Sequence, residues 1–135
     1  MTSSGRAKAT VQALLASARD QLDRLSPEAA LTATRDGAVL IDIRSETQLR
    51  RDGLVPGATV IQRNVLEWRL DPNCPHRDPA LATIGNRVIV LCNQGYQSSL
   101  AAATLKRFGL EATDVIGGFQ AWQGAGMPVE PASDH

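Results

Sequence analysis

The chain has 135 residues, and its 14 lysine and arginine residues are balanced by 14 aspartate and glutamate residues. This length suits one domain with a single core, and the balanced charge argues against a nucleic-acid-binding or membrane-surface role. No apolar run approaches the roughly 20 residues of a transmembrane helix, and the N-terminus lacks the apolar stretch of a signal peptide. We therefore expect a cytoplasmic protein with no nucleic-acid and no membrane partner.

The cysteine and histidine content is low. Cys74 and Cys92 are too few for a disulfide framework, and His76 and His135 form no metal-binding pattern with them. A cytoplasmic location would also keep both thiols reduced. We expect neither a metal nor a cofactor.

Helical signals dominate the first part of the chain. Apolar residues recur at helical spacing and predict an amphipathic helix over about 10–25. Ser26-Pro27-Glu28 combines an N-cap, a proline at the first helical position and an acidic first turn, so a second helix is predicted to about Thr34. Residues 38–41 then form a predicted buried strand that ends at Asp42-Ile43-Arg44.

The middle of the chain is predicted to contain short elements. Ser45 should cap a helix that runs to Arg51, and residues 58–61 should form a short strand. Asn64 is a candidate cap for a helical turn through Trp68. The proline-rich stretch 71–79 is predicted to be an irregular loop.

The next segment places a cysteine between a strand and a helix. The apolar run 88–91 is typical of a buried parallel strand, and Cys92 follows it directly. Gly95 permits a tight turn, after which Ser98-Ser99 should open a helix through Phe108, with Gly109 as its stop. The first N–H groups of a helix are unpaired and carry about half a positive charge, which stabilises a thiolate. This context favours a reactive Cys92 over a buried structural cysteine.

The last elements complete an alternating pattern. Residues 113–116 are predicted to form a strand, and a final helix begins at Phe119 after Gly117-Gly118. Alternating strands and helices predict an α/β fold with a mostly parallel central sheet and helices on both faces. Ligands bind beyond the carboxyl ends of such strands, where Cys92 and the Asp42/Arg44 pair both lie.

Four segments together resemble the single-domain rhodaneses, which are sulfurtransferases with a three-layer α/β fold. The segments are Ile41–Arg44, Gly53–Ala58, the loop Cys92–Ser98, and Val115–Trp122 followed by Gly126–Val129. The resemblance covers about 26–129. It leaves residues 1–25 as an N-terminal extension with its helix and 130–135 as a polar tail.

The resemblance implies that Cys92 takes a sulfane sulfur from a donor such as thiosulfate and passes it on from a persulfide. The persulfide would be held by the N–H groups of the loop, namely Asn93, Gln94, Gly95, Tyr96, Gln97 and Ser98. The implied partners are a small-molecule or protein-borne sulfur donor and a thiol or cyanide acceptor. A nucleophile that splits one transfer into two easier steps needs this kind of activated thiolate.

Two positions depart from the pattern of the family. Gln97 stands where many relatives have arginine, so the loop has no charged side chain, and Leu54 stands where histidine is frequent. Arg44, Arg63 or Arg69 are candidates to supply the missing charge to a donor anion. Asp42 could orient Arg44 or the loop through hydrogen bonds, or it could be a cap or turn residue at a strand end. Arg44 could bind donor anions or form an ordinary structural ion pair.

Two other functions stay open. A cysteine phosphatase or arsenate reductase would need an arginine six positions after the cysteine, where this chain has Ser98. A non-catalytic module, or a persulfide carrier that binds a protein partner, is the other alternative. Cys74 is a candidate to resolve a Cys92 persulfide as a disulfide, although an ordinary loop cysteine is the favoured interpretation.

Overall fold

The computed structural model describes residues 9–132. The first part of the proposed N-terminal extension and the last residues of the polar tail lie outside the described residues. Within them, no helix is long and apolar enough to cross a bilayer. The same residues contain no group of three or more His, Cys, Asp or Glu that could hold a metal ion.

A four-stranded parallel sheet forms the centre of the fold. Its strands are β1 (Val39–Asp42), β2 (Thr59–Val60), β3 (Arg87–Leu91) and β4 (Glu111–Asp114), in the order β2-β1-β3-β4. Every pairing is parallel, which confirms the predicted α/β architecture. The sheet brings the carboxyl ends of β1 and β3, and the residues that follow them, to one edge of the molecule.

Helices cover both faces of this sheet. The described residues form α1 (Val11–Arg19), α2 (Pro27–Arg35), α3 (Glu46–Asp52), α4 (Leu66–Leu70), α5 (Gln97–Lys106) and α6 (Gly118–Gly124), with a 3-10 turn at Arg63–Val65. One apolar cluster joins the sheet to α4 and α5, and the other joins it to α2 and α6. Alternate residues of β3 point into the two clusters, since a strand presents successive side chains to opposite faces.

The first helix is shorter than predicted. It ends at Arg19, with Asp20 as its C-cap, rather than continuing to residue 25. Leu22 still packs against the core, but Leu25 is extended and bridges Val115 at the end of β4. The apolar spacing continues past the helix because Leu22 and Leu25 pack against the core from a connection that is not helical. α1 itself lies against α5 of its own domain.

Two further predictions about the ends of elements differ from the structure. The predicted strand over 113–116 is shifted, because the N–H of Ile116 donates to the carbonyl of Leu25 instead of continuing the ladder. Asn64 caps nothing, since it lies inside the 3-10 turn and the N-cap residue there is Gln62. Ser26 and Ser45 do cap α2 and α3, the latter in a capping box with Gln48.

Candidate active site around Cys92

Cys92 follows the central strand β3 and is almost completely buried, with 4% of its surface exposed. Its carbonyl accepts a hydrogen bond of 2.8 Å from the N–H of Phe119 at the start of α6. The residue is therefore held between β3 and α6, and its sulfur faces the beginning of α5.

The loop after Cys92 directs backbone N–H groups at this sulfur. The amides of Gly95 and Ser98 donate to Sγ at 3.2 and 3.3 Å. Of the six loop residues singled out from the sequence, these two contact the sulfur. Gln94, Tyr96 and Gln97 are exposed at the rim of the site.

Asn93 contributes through its side chain on the outside of the loop. Its side-chain oxygen Oδ1 accepts a hydrogen bond of 3.0 Å from the side-chain amide of Gln120. The same Gln120 nitrogen also donates to the Asp52 carboxylate at 3.5 Å. A hydrogen bond from Arg51 lowers the pKa of the Asp52 carboxyl below its usual range. Asp52 pairs with Arg51 at 3.0 Å, which balances the charge of its carboxylate.

Two glycines allow the loop to pack on the start of α6. A Cβ atom on Gly118 would lie 2.5 Å from the carbonyl oxygen of Cys92, and one on Gly95 would lie 2.8 Å from the nitrogen of Gly117. Both glycines have positive φ angles, which side chains disfavour. Gly117-Gly118, predicted only as a turn, is therefore the surface on which the cysteine loop rests.

The first turn of α5 is tied to the end of β4 by a buried carboxylate. Asp114 is fully buried, and its Oδ2 accepts hydrogen bonds of 2.7 Å from the hydroxyls of both Ser98 and Ser99. Arg24 completes the cluster with contacts of 2.8 and 3.2 Å to the two carboxylate oxygens. Ser98 and Ser99, predicted to open the helix, instead lie inside it and bind Asp114, so Ser98 is fixed where its amide meets Cys92.

Two arginines from the N-terminal segment bind the loop itself. Nη2 of Arg19 donates to the carbonyl of Gly95 at 2.7 Å, and Nη2 of Arg24 donates to the same oxygen at 3.0 Å. Sequence reasoning missed both residues and Asp114. Arg19 and Arg24 are visible in the sequence only as charges near a helical pattern, which carries no indication of a partner more than 70 residues away.

Asp42 orients Arg44 through hydrogen bonds from its backbone and guanidinium, and the two residues form a buried ion pair. Arg44 is buried and contacts the Asp42 carboxylate at 2.7 Å, the Gly53 carbonyl at 2.9 Å and the face of Phe119 at 3.8 Å from the ring centre. Its guanidinium is thus enclosed, and it holds Phe119, the residue that binds the Cys92 carbonyl.

The other two arginines suggested as sources of charge have partners of their own. Arg63 pairs with Glu67 at 2.7 Å, and Arg69 donates to the His76 carbonyl at 2.9 Å. Neither contact involves the cysteine loop, so the structure gives no support to either as the missing loop cation.

A groove runs from the loop along the contact between α1 and α5. Its volume is about 680 Å³, and it is lined by Val11, Gln12, Leu15, Tyr96, Gln97 and Leu100. All six side chains are uncharged. This groove therefore offers apolar contacts beside the cysteine loop but no charge that could bind a small dianion.

Comparison with known proteins assigns the fold to a family. The sequence profile of the Rhodanese-like domain matches residues 26–125, and a search of curated proteins found no match. A protein of unknown function from Rhodopseudomonas palustris, described as a possible tyrosine phosphatase, has 30% identity and a TM-score of 0.83, with 96% of this chain and 99% of that chain covered.

Two sulfurtransferases are also similar. The polysulfide-sulfur transferase homodimer of Wolinella succinogenes has 25% identity and a TM-score of 0.69, with 92% of this chain and 89% of that chain covered. The thiosulfate sulfurtransferase of Pseudomonas aeruginosa has 23% identity and a TM-score of 0.64, with 82% of this chain and 20% of that chain covered. With the profile spanning most of its length, this chain belongs to the rhodanese-like domain family.

Proposed function

We propose that this protein is a sulfurtransferase in which Cys92 carries the sulfur as a persulfide. The observation that carries the proposal is the pair of backbone N–H groups, from Gly95 and Ser98, that converge on the cysteine sulfur. Such donors stabilise negative charge on a thiolate and suit the anion formed when a second sulfur is attached.

The reaction has two steps. The Cys92 thiolate attacks the sulfane sulfur of the donor, an S–S bond forms, and the donor's own bond to that sulfur breaks. With thiosulfate, sulfite leaves with the electron pair. An acceptor thiolate or cyanide then attacks the outer sulfur of the persulfide and regenerates the Cys92 thiolate, as expected for covalent nucleophilic catalysis.

The surroundings of the loop favour a persulfide or polysulfide donor over thiosulfate. Gln97 places a neutral side chain at the rim, and Arg44 is enclosed by Asp42, Gly53 and Phe119. The uncharged groove beside the loop offers apolar contact to a larger donor. The relative named as a polysulfide-sulfur transferase supports the same choice.

The test is intact-protein mass spectrometry of the wild type and Cys92→Ser after incubation with inorganic polysulfide and, separately, with thiosulfate. We expect a gain of one sulfur in the wild type only, removed by cyanide. The serine variant should fold normally because the substitution is nearly isosteric. Sulfur loading of Cys92→Ser, or no loading of the wild type by either donor, would contradict the proposed mechanism.

A phosphatase is the second candidate, favoured by the description of the Rhodopseudomonas palustris relative. The chemistry argues against it, because phosphoryl transfer needs a guanidinium forked onto the phosphoryl oxygens. The position six after Cys92 is Ser98, whose hydroxyl is bound to Asp114 at 2.7 Å. Hydrolysis of p-nitrophenyl phosphate that depends on Cys92 would favour the phosphatase over the sulfurtransferase.

A further inference from the structure

Residues 9–25, the described part of the N-terminal segment, lie against the cysteine loop and α5 although they precede the part of the chain matched by the family profile, residues 26–125. Its two inward arginines, Arg19 and Arg24, converge on one atom, the carbonyl oxygen of Gly95, at 2.7 and 3.0 Å. A carbonyl oxygen has two lone pairs, and the two guanidinium groups make the shortest contacts to this one, with the Ser99 hydroxyl further away at 3.4 Å. The contact is part of the packed structure rather than a surface encounter, since Gly95 is buried and both arginines are partly buried.

Each arginine is itself fixed by a second group. Arg19 also donates through Nε to the Ser99 hydroxyl at 3.1 Å, and its guanidinium lies 5.7 Å from the centre of the Tyr96 ring. Arg24 is fixed by its ion pair with the buried Asp114. The two side chains therefore hold the loop against α1, α5 and β4 simultaneously.

The orientation of the Gly95 carbonyl matters for the cysteine. The amide of the same residue points at Cys92 Sγ, at 3.2 Å, so fixing the carbonyl on the arginines also fixes the residue that donates to the sulfur. The carbonyl belongs to the next peptide unit, so the arginines act on the sulfur by holding Gly95 in place and by their charge, since a positive charge near a thiolate favours its formation. The loop itself supplies no such charge, because residues 93–98 are uncharged.

We infer that Arg19 and Arg24 are positioning residues of the Cys92 site, and that Arg19, which has no carboxylate partner among the described residues, brings to the loop the positive charge that Gln97 does not provide. The inference deepens the proposed function, on which it rests for its role in sulfur transfer. The N-terminal segment is thus part of the active site rather than an appendage to it.

The test compares alkylation of Cys92 by iodoacetamide, an uncharged reagent, in the wild type, Arg19→Met, Arg19→Lys and Arg87→Met at pH 7. Arg87 is exposed at the amino end of β3, about 16 Å of strand away from Cys92, so its variant loses the same charge at a distance. Peptide mass spectrometry follows Cys74 as an internal reference in every sample.

We expect Cys92 in Arg19→Met to react about three- to tenfold more slowly than in the wild type, because the variant loses a positive charge and one of the contacts that hold Gly95 against the sulfur. Arg87→Met should react at the wild-type rate, Arg19→Lys should recover part of the loss, and Cys74 should react equally in all samples. A Cys92 rate in Arg19→Met that is within twofold of Arg87→Met, or higher, would overturn the inference.

If Arg19→Met fails to fold, as judged by circular dichroism, Arg24→Lys takes its place. That variant keeps the charge beside Asp114 but loses the fork that reaches both Asp114 and Gly95, so a partial slowing like that of Arg19→Lys is expected. A Cys92 rate no lower than that of Arg87→Met would then overturn the inference. Sulfur loading is measured on the same proteins. A wild type that takes up no sulfur would overturn the proposed function, whereas the alkylation rates decide the role of the arginines independently.

Discussion

At the scale of single residues, the site separates the sulfur from the charges that support it. Cys92 is buried and touched by backbone amides, while the guanidinium groups of Arg19 and Arg24 bind the carbonyl oxygen of Gly95 rather than the sulfur. The side chain that borders the opening, Gln97, is neutral. This arrangement stabilises an anion on the cysteine but places no cationic side chain at the opening to bind the sulfonate of thiosulfate.

The consequence can be tested with Gln97→Arg. A guanidinium at this exposed position should pair with the sulfonate of thiosulfate and raise kcat/KM for thiosulfate about three- to tenfold. The value for inorganic polysulfide, which is also anionic but longer, should rise by a smaller factor because apolar contact with the groove contributes to its binding. Gln97→Met serves as the uncharged control. Equal kcat/KM for thiosulfate in the arginine and methionine variants would contradict the idea that charge at this position limits the use of that donor.

At the scale of elements, the cysteine loop depends on how closely α6 approaches it. The Cys92 carbonyl binds the amide of Phe119, and the Asn93 carbonyl binds that of Gln120. These bonds form only because Gly118 has no side chain. The start of α6 therefore fixes the first residues of the loop, and Asp114 at the end of β4 fixes its last residues.

Gly118→Ala should disrupt this contact. Its Cβ would lie 2.5 Å from the Cys92 carbonyl oxygen and 2.7 Å from the Gly95 nitrogen, at a φ of +61°. We expect a loss of about 2–5 kcal/mol in the free energy of unfolding from strain and overpacking, together with loss of sulfur loading. Chemical denaturation and mass spectrometry measure the two effects.

Gly57→Ala is the matched control for that experiment. Gly57 also has a positive φ, of +82°, but a Cβ there would meet nothing within 4 Å. It should cost only the backbone strain, about 1–2 kcal/mol, and leave sulfur loading unchanged. If both variants lose loading equally, contact with the loop is not the reason that Gly118 is needed.

At the scale of the whole molecule, α5 separates the two cysteines. Cys92 faces the N-terminal end of this ten-residue helix, whereas Cys74 lines a surface cavity with Phe108, just beyond its C-terminal end. A helix of that length spans about 15 Å, and a disulfide needs Cα atoms within about 7 Å. Cys74 therefore lies near the opposite end of α5 from Cys92, too far away in this structure to form a disulfide with it.

Cys74→Ser should accordingly leave the reaction unchanged. We expect the rate of sulfur loading and the rate of cyanide-dependent turnover to stay within about twofold of the wild type. Non-reducing electrophoresis after persulfide loading should show no internal crosslink that depends on Cys74. A crosslink in the wild type that is lost in Cys74→Ser would contradict this, because it would show that the domain opens far enough for Cys74 to reach Cys92.

The sequence by itself determined those features that depend on neighbouring residues. The apolar run 88–91, the turn at Gly95 and the helix after it place Cys92 at the end of a parallel strand, and Ser26 and Ser45 mark helix starts through their own caps. Local propensity and capping act over a few residues, so a reader of the sequence can recover them.

Only the tertiary structure decided which distant groups support the loop. Arg19 and Arg24 lie 76 and 71 residues from Gly95, and Asp114 lies 16 residues beyond Ser98. The enclosure of Arg44 beneath Phe119 and the end of α1 at Arg19 likewise follow from packing. Such contacts arise from the order of the strands and the placement of the helices, and a buried polar group takes whichever partner that packing brings within reach.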